Sequence, residues 1–136
     1  ALMDGGAAVK FDNSQPIYMQ IIDEFKKGII RAELKAGDKI PSQREYAQMV
    51  KVNPNTVQRA YREMENLGMV ETLRGQGTFV RAGEDKRQEM AQEMANTIIE
   101  QFISQMRSLG YEDRTILAML EKHLEDLEED EEVDRV

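Results

Sequence analysis

The sequence of 136 residues predicts a mainly α-helical fold with one small β-hairpin, divided into a mixed N-terminal domain and a two-helix C-terminal domain. Apolar residues recur at helical spacing along most of the chain, whereas alternation at period two is confined to residues 69–80. The charge also changes near residue 83. Residues 1–81 carry twelve basic and ten acidic side chains, while residues 82–136 carry six and sixteen. The formal net charge of −8 is therefore an average over two unlike parts.

The change in charge gives the expected domain boundaries. Ala82-Gly83-Glu84-Asp85 is a natural joint, so we expect an N-terminal domain over residues 10–82 and a C-terminal domain with an acidic tail over residues 83–136. Residues 1–9 have no periodic pattern, and Ala1 is not an initiator. We expect residues 1–9 to be a disordered remnant of the expression vector.

The first two helices of the N-terminal domain have clear start signals. Pro16 is typical of a first helical turn, and apolar residues then follow at helical spacing as far as Ala32. After a turn at residues 35–38, Ser42 and Glu45 have the spacing of a capping box, which predicts a short second helix beginning at Ser42. Its buried side is expected to hold Tyr46, Ala47, Met49 and Val50.

A third helix is expected directly after Asn53, which can cap it, with Pro54 in its first turn. Gly68 supplies the left-handed conformation in which helices commonly end. One side of this helix is polar and weakly cationic. The opposite side is apolar and is expected to be buried through Val57, Ala60, Tyr61, Met64 and Leu67.

The β-hairpin is predicted after the third helix, with strands over residues 69–73 and 78–80 joined by the tight turn Arg74-Gly75-Gln76-Gly77. Helix, short helix, turn, helix and hairpin is the order of elements in a winged helix-turn-helix domain. Such a domain binds DNA because one helix fits the major groove while the preceding helix crosses the phosphate backbone.

Polar side chains that can reach DNA fall into three groups. On the third helix, the amides of Asn55 and Gln58 can pair with adenine, and arginines can reach guanine or phosphate. Ser42 and Arg44 begin the second helix, where they can hold one phosphate between them. The turn of the hairpin is slim enough for a minor groove. The candidate DNA-binding residues are Ser42, Arg44, Asn53, Asn55, Thr56, Gln58, Arg59, Arg62, Arg74, Gly75, Gln76 and Gly77.

Two alternatives stay open for these side chains. An ordinary solvated helix face would explain any one of Asn55, Gln58 and Arg59. Arg62 can pair with a nearby carboxylate, namely Glu63, Glu65 or Glu71.

Residues 16–80 resemble the GntR family of bacterial transcription regulators. The resemblance is carried by four segments in order, Pro16-Ile17-Tyr18-x-Gln20-Ile21, Gly37-Asp38-Lys39-Ile40-Pro41-Ser42-x-Arg44, Asn53-Pro54-Asn55-Thr56-Val57-x-x-Ala60-Tyr61 and Arg74-Gly75-x-Gly77-Thr78-Phe79-Val80. It implies that the positions at or near DNA include Arg44, Asn55, Thr56, Gln58 and Gly77.

Two departures from the family pattern limit what the resemblance implies. Ala32 stands where the family usually has glycine, which predicts a less demanding end to the first helix. Pro54 stands where some branches carry an arginine, so the base contact of that arginine is not expected in this chain.

The C-terminal part is too short for the large ligand-binding or aminotransferase-like domains of other GntR branches, and it resembles the short-tailed YtrA-like branch. Its apolar residues form one helical stripe over residues 91–109 and another over residues 116–127, separated by Gly110. Two antiparallel helices of this size cannot bury both stripes alone, so we expect a four-helix interface with a second copy. The residues expected there are Met94, Ile98, Phe102, Met106, Leu117, Leu120 and Leu124.

The sequence thus predicts a cytoplasmic, homodimeric transcriptional repressor that binds an inverted-repeat operator in double-stranded DNA. The resemblance to the YtrA-like branch implies repression of operons that often encode ABC transporters and cell-envelope stress functions. The alternative is a winged-helix adaptor whose acidic half binds a basic protein and whose DNA binding is vestigial. A small-molecule effector would fit between the domains or at the dimer seam, although no cluster of polar residues marks a pocket.

The composition argues against several other classes. With no cysteine and a single histidine, His123, the chain lacks the residues for disulfides, zinc clusters or iron–sulfur sites, and we expect no cofactor and no metal. No apolar run approaches the roughly 18 residues that cross a bilayer, so no membrane partner is expected. Enzyme activity is not expected, because no nucleophile has a histidine beside it and no long phosphate-binding loop is present.

Overall fold

The computed structural model describes residues 10–134, so the expectation for residues 1–9 lies outside the described part of the chain. Over these residues the helices are α1 (Ile17–Ile30), α2 (Gln43–Val50), α3 (Pro54–Asn66), α4 (Glu84–Ser108) and α5 (Asp113–Asp134). The strands are β1 (Lys39–Ile40), β2 (Val70–Leu73) and β3 (Gly77–Val80). The mainly helical, winged helix-turn-helix class predicted from the sequence is confirmed.

The described residues divide into two compact units, and the division falls between Ala91 and Gln92, inside α4. The first unit extends into α4 because Met90 is buried in its core. The predicted boundary at residue 83 separates domains by their expected function rather than by their compactness, so it stays a prediction.

The end of α1 keeps a left-handed residue although no glycine stands there. Ala32 has a φ of +60°, a conformation that residues with a Cβ rarely adopt. The amides of Glu33 and Leu34 both donate to the carbonyl of Gly28, at 2.9 and 3.1 Å, which turns the chain and buries Leu34. The expectation of a less demanding helix end is therefore wrong, because Ala32 adopts the left-handed conformation, which costs alanine more free energy than it costs glycine.

Both predicted start signals of the helix-turn-helix are confirmed. The amide of Glu45 donates to Ser42 Oγ at 3.1 Å, and the amide of Ser42 donates to Glu45 Oε1 at 3.3 Å, which completes the capping box of α2. The amide of Asn55 donates to Asn53 Oδ1 at 2.8 Å at the start of α3. Because Lys51 is left-handed, with a φ of +57°, the turn between α2 and α3 is short.

The sheet has three antiparallel strands where the sequence predicted a two-stranded hairpin. Strand β3 lies between β1 and β2, with Lys39 paired to Phe79 and Thr72 paired to Thr78. Strand β1 was missed because two residues, Lys39 and Ile40, are too few to display alternation. The hairpin is therefore anchored on both sides of β3.

The core of the first unit is built around three aromatic rings, one from each of the first three helices. Phe25, Tyr46 and Tyr61 lie with ring centroids 5.1 to 6.1 Å apart. Four of the five residues predicted for the buried side of α3 are fully buried. Leu67, the residue that caps the end of α3, is the exception at 38% exposure.

The hydroxyl groups of the two buried tyrosines have different surroundings. The Tyr61 hydroxyl donates to the Pro41 carbonyl at 2.7 Å and so ties α3 to the residue that precedes the cap of α2. Among the described residues the Tyr46 hydroxyl is buried and has no hydrogen-bond partner. Burial raises the pKa of both phenols, so both are protonated at neutral pH.

The start of α4 is tied to the end of α1 by one guanidinium. Arg87 donates to the Ile30 carbonyl at 3.1 Å, which is one of the carbonyls that the end of a helix leaves without a partner. The same guanidinium binds the Glu84 carboxylate, and these hydrogen bonds lower the pKa of Glu84 to about 2. This contact anchors the first turn of α4 to the first unit.

The second unit contains the rest of α4 and the whole of α5, joined through Gly110. Arg107 binds the Asp113 carboxylate at 2.8 and 2.7 Å across this connection. Ile116 of α5 is buried, at 5% exposure. The two helices leave most of their other apolar residues exposed, including Ile98 at 59%, Leu117 at 58% and Leu124 at 53%. The expected antiparallel arrangement of the two helices stays a prediction. Within residues 10–134 no helix is both long and apolar enough to span a bilayer.

The two buried hydroxyls predict opposite effects of removing one oxygen atom. Tyr61→Phe should lower the free energy of unfolding by about 1 kcal/mol, because it leaves the Pro41 carbonyl without its donor. Tyr46→Phe should leave stability unchanged or slightly raised, because it removes a hydroxyl that has no partner. Urea unfolding of both variants measures the difference, and equal losses would contradict it.

Candidate nucleic-acid interface

Helix α3 has one face in the core and the opposite face in solvent. Val57, Ala60, Tyr61 and Met64 are fully buried, which fixes the rotation of the helix about its axis. The opposite face is exposed at its long polar side chains, Asn55, Gln58, Arg59 and Arg62. Thr56 is half-buried beside them. The sequence-predicted residues of α3 therefore share one accessible surface.

One arginine of this surface is held by an aromatic ring of α1. The guanidinium of Arg59 lies over the Tyr18 ring, with its central carbon 3.8 Å from the ring centroid. Tyr18 is half-buried and packs against the core, so it forms a fixed base under Arg59. Stacking uses the flat face of the guanidinium and leaves the N–H groups at its edge free to donate.

The remaining arginines of the predicted set have no acidic partner among the described residues. Within residues 10–134 no ion pair involves Arg44, Arg62 or Arg74. The alternative pairing of Arg62 with a nearby carboxylate is therefore not made, and Glu65 instead accepts a hydrogen bond from the Thr72 hydroxyl at 2.6 Å. These positive charges are available to an anionic ligand.

The start of α2 presents Ser42 and Arg44 together in its first turn, and both are exposed. Ser42 Oγ accepts from the amide of Glu45, so its hydroxyl hydrogen stays free to donate to a phosphate. The carboxylate of Glu45 lies in the same turn and repels an anion there. The attraction for a phosphate therefore comes mainly from the guanidinium of Arg44. The hydrogen bond from Tyr61 to the Pro41 carbonyl holds this turn at a constant distance from α3.

Asn53 lies between these two groups and already has a structural role. Its side-chain oxygen accepts the amide of Asn55 and caps α3, so only its amide N–H groups remain for a ligand.

The turn of the hairpin is narrow because two glycines take conformations that other residues avoid. Gly75 has a φ of +78° and Gly77 a φ of +123°. The amide of Gln76 donates to the Leu73 carbonyl at 2.9 Å and closes the turn. Arg74 and Gln76 are exposed on either side of Gly75. A slim loop carrying one guanidinium and one amide is suited to a minor groove.

Sequence reasoning did not include two residues that the structure brings to these groups. Tyr18 lies under Arg59, and Lys39 of β1 lies beside Gly77. Both belong to the segments that carried the family resemblance, but their neighbours come from distant parts of the chain. No local spacing in the sequence could have placed them.

Comparisons with known proteins agree with this geometry. The family described as "Bacterial regulatory proteins, gntR family" matches residues 17–80. The uncharacterized HTH-type transcriptional regulator YhcF of Bacillus subtilis is 48% identical over 101 residues, which cover 74% of this chain and 84% of YhcF. The HTH-type transcriptional repressor YtrA of the same organism is 50% identical over 68 residues, which cover 50% of this chain and 52% of YtrA.

Among solved structures, a GntR family transcriptional regulator from Listeria monocytogenes aligns with a TM-score of 0.75 and 38% sequence identity. The alignment covers 82% of this chain and 98% of that protein. A transcriptional regulator from Oenococcus oeni aligns with a TM-score of 0.68 and 30% identity over 87% of this chain and 98% of that protein. Both likenesses extend beyond residues 17–80.

The exposed arginine of α2 generates a prediction for DNA affinity. Arg44→Ala should weaken binding to a DNA fragment that the unmodified chain binds by about ten- to a hundredfold, since a charged hydrogen bond to phosphate contributes about 1.5–3 kcal/mol. Gel-shift titration measures the change. Arg31→Ala is the matched control, because Arg31 pairs with Glu33 outside the three groups. Equal affinity of Arg44→Ala and the unmodified chain would remove Arg44 from the interface.

Proposed function

Since the chain belongs to the gntR family of bacterial regulatory proteins, we propose that it is a homodimeric repressor that binds an inverted-repeat operator. Membership of this family makes it a DNA-binding transcriptional regulator. Repression, the homodimer and the symmetry of the operator go further and form the proposal. The description of its relative YtrA as a repressor supports the direction of regulation.

The proposed mode of DNA binding rests on one observation, which is that α3 has one face buried in the core and an opposite, bare face of exposed polar side chains. Its apolar side chains are fully buried, while Asn55, Gln58 and the arginines are exposed and free of carboxylates within residues 10–134. In the proposed complex this bare face lies in the major groove, where paired amide and guanidinium contacts distinguish base pairs. Ser42 and Arg44 bind the phosphate backbone, and the turn at residues 74–77 enters the adjacent minor groove.

The proposed homodimer is supported by apolar surface that one chain leaves uncovered. The exposed residues of the second unit include Ile98, Phe102, Leu117 and Leu124, so a single chain leaves most of both apolar stripes uncovered. Contiguous exposed apolar surface of this kind marks an interaction site. A second copy offers the same stripes, and a two-fold axis makes them self-complementary. The residues proposed at the interface are Met94, Ile98, Phe102, Met106, Leu117, Leu120 and Leu124.

Association must overcome the repulsion between two acidic parts. Residues 82–136 carry six basic and sixteen acidic side chains, and doubling them brings like charges together. Exposed charges are screened over about 8 Å at physiological ionic strength, whereas burial of the apolar stripes is not weakened by salt. We therefore expect the dimer to be tighter in moderate salt than in very low salt.

Two-fold symmetry gives the operator its form. A dimer presents two copies of α3 related by the same axis, so the preferred site is an inverted repeat with half-sites about one helical turn apart. A dimer bound across a promoter excludes RNA polymerase and represses the genes that follow. This mechanism needs no chemistry beyond binding.

Selection of genomic fragments tests the proposed function against the adaptor alternative. The immobilised chain should retain fragments that share an inverted repeat, whereas an adaptor with vestigial DNA binding should enrich no sequence. The paired variant Asn55→Ala and Gln58→Ala removes the proposed base contacts, which are worth about 1–3 kcal/mol each, while leaving the phosphate contacts in place. It should still bind DNA but lose the preference for the repeat. Retention without any shared sequence by the unmodified chain would contradict the proposal.

The interface can be tested by placing a charge in the uncovered stripe. Phe102→Glu should yield monomers in sedimentation equilibrium, because a buried unpaired carboxylate costs several kcal/mol. Phe102 is already 38% exposed in the single chain, so its replacement should not unfold the first unit. Val133→Glu is the matched control, since Val133 is 73% exposed outside the proposed interface. A dimer that persists in Phe102→Glu would contradict the helical interface.

A further inference from the structure

Strand β1 places a lysine on the solvent side of the sheet beside the wing, the hairpin formed by β2, β3 and the turn between them. Lys39 is the cross-strand partner of Phe79, and such partners project from the same face of a sheet. Gly77 lies two residues before Phe79 on β3, so it also belongs to that face. The face therefore carries Lys39, the Phe79 ring and a position without a side chain where the turn ends.

The side chain of Lys39 occupies the space that a side chain at Gly77 would need. A Cβ built on Gly77 would lie 2.7 Å from Lys39 Cε and 3.4 Å from Lys39 Nζ. The apolar stem of the lysine thus passes over the bare backbone of Gly77. Glycine serves two purposes at this position, since its φ of +123° disfavours other residues and its missing Cβ admits the lysine.

The ammonium of Lys39 is free of acidic partners within residues 10–134. None of the ion pairs there involves it, and the side chain is exposed. The acidic residue facing Phe79 on its other side is Glu71 of β2, which is two strands away from β1. No ion pair joins Glu71 to Lys39 among the described residues.

We propose that Lys39 is a DNA-binding residue whose ammonium contacts a backbone phosphate beside the groove entered by the wing. Gly77 is the position that admits its side chain. The inference rests on the proposed function and adds a contact to it. A lysine ammonium is a compact charge without the planar fork of arginine, so it holds a phosphate without reading a base. Lys39 beside the base of the turn and Arg74 within the turn then give this part of the molecule two positive charges at different positions.

The dependence of affinity on salt tests this contact directly. Lys39→Met keeps the apolar stem over Gly77 and removes only the charge. Affinity for a retained operator fragment and for a duplex of scrambled sequence should fall by the same factor. The slope of log affinity against log salt should become shallower by about one for each bound protomer. Fluorescence anisotropy at several salt concentrations measures both quantities.

Two further variants separate a charge contact from a structural role. Lys39→Arg should keep the unmodified slope, because it keeps the charge. Lys27→Met is the matched control, since Lys27 pairs with Glu24 on α1, and its slope should not change.

The possible results separate this inference from the proposed function. An unchanged slope in Lys39→Met, together with salt-dependent binding by the unmodified chain, would overturn the lysine contact and leave the function standing. A change confined to the operator fragment would also overturn it, because a phosphate contact does not depend on sequence. Failure of the unmodified chain to bind any DNA would remove the proposed function and this contact with it.

Discussion

The burial of one face of α3 is the constraint on which the rest of the first unit depends. Tyr61 packs against Phe25 of α1 and Tyr46 of α2, so one residue of α3 joins the first three helices. Its hydroxyl also holds the Pro41 carbonyl, next to the cap of α2. Because these contacts fix the rotation of α3, the opposite face can remain bare and polar without being mobile. A reading helix needs both properties at once.

The turn of the wing is shaped by backbone conformation, whereas Val70 and Val80 of its strands pack in the core. Gly75 and Gly77 take left-handed conformations that narrow the turn, and β1 supports β3 from the side opposite β2. The third strand does more than widen the sheet. It brings Lys39 from a segment far away in sequence to the base of the turn, over a position that has no side chain. The positive charge of the wing therefore depends on tertiary pairing as well as on the residues of the turn.

The second unit exposes much more of its apolar surface than the first unit does. The buried core of the first unit draws on helices and strands alike, whereas α4 and α5 leave most of their apolar residues exposed. In the proposed dimer the two parts of the chain divide the work. The first unit binds DNA through charges and amides, and the second supplies the symmetry through apolar contact. The separation of basic and acidic residues along the sequence agrees with that division.

The sequence by itself determined the helices, their caps and the polar face of α3, because these follow from local spacing and from single residues such as Ser42 and Asn53. Only the tertiary structure decided the third strand, the left-handed Ala32, the exposed Leu67, and the neighbours of Tyr18 and Lys39. Each of these depends on where the chain ends an element or on a residue that is distant in sequence. Hydrophobic periodicity reports only the spacing of residues that are close in sequence, so it cannot identify contacts between distant residues, which form only when the chain packs.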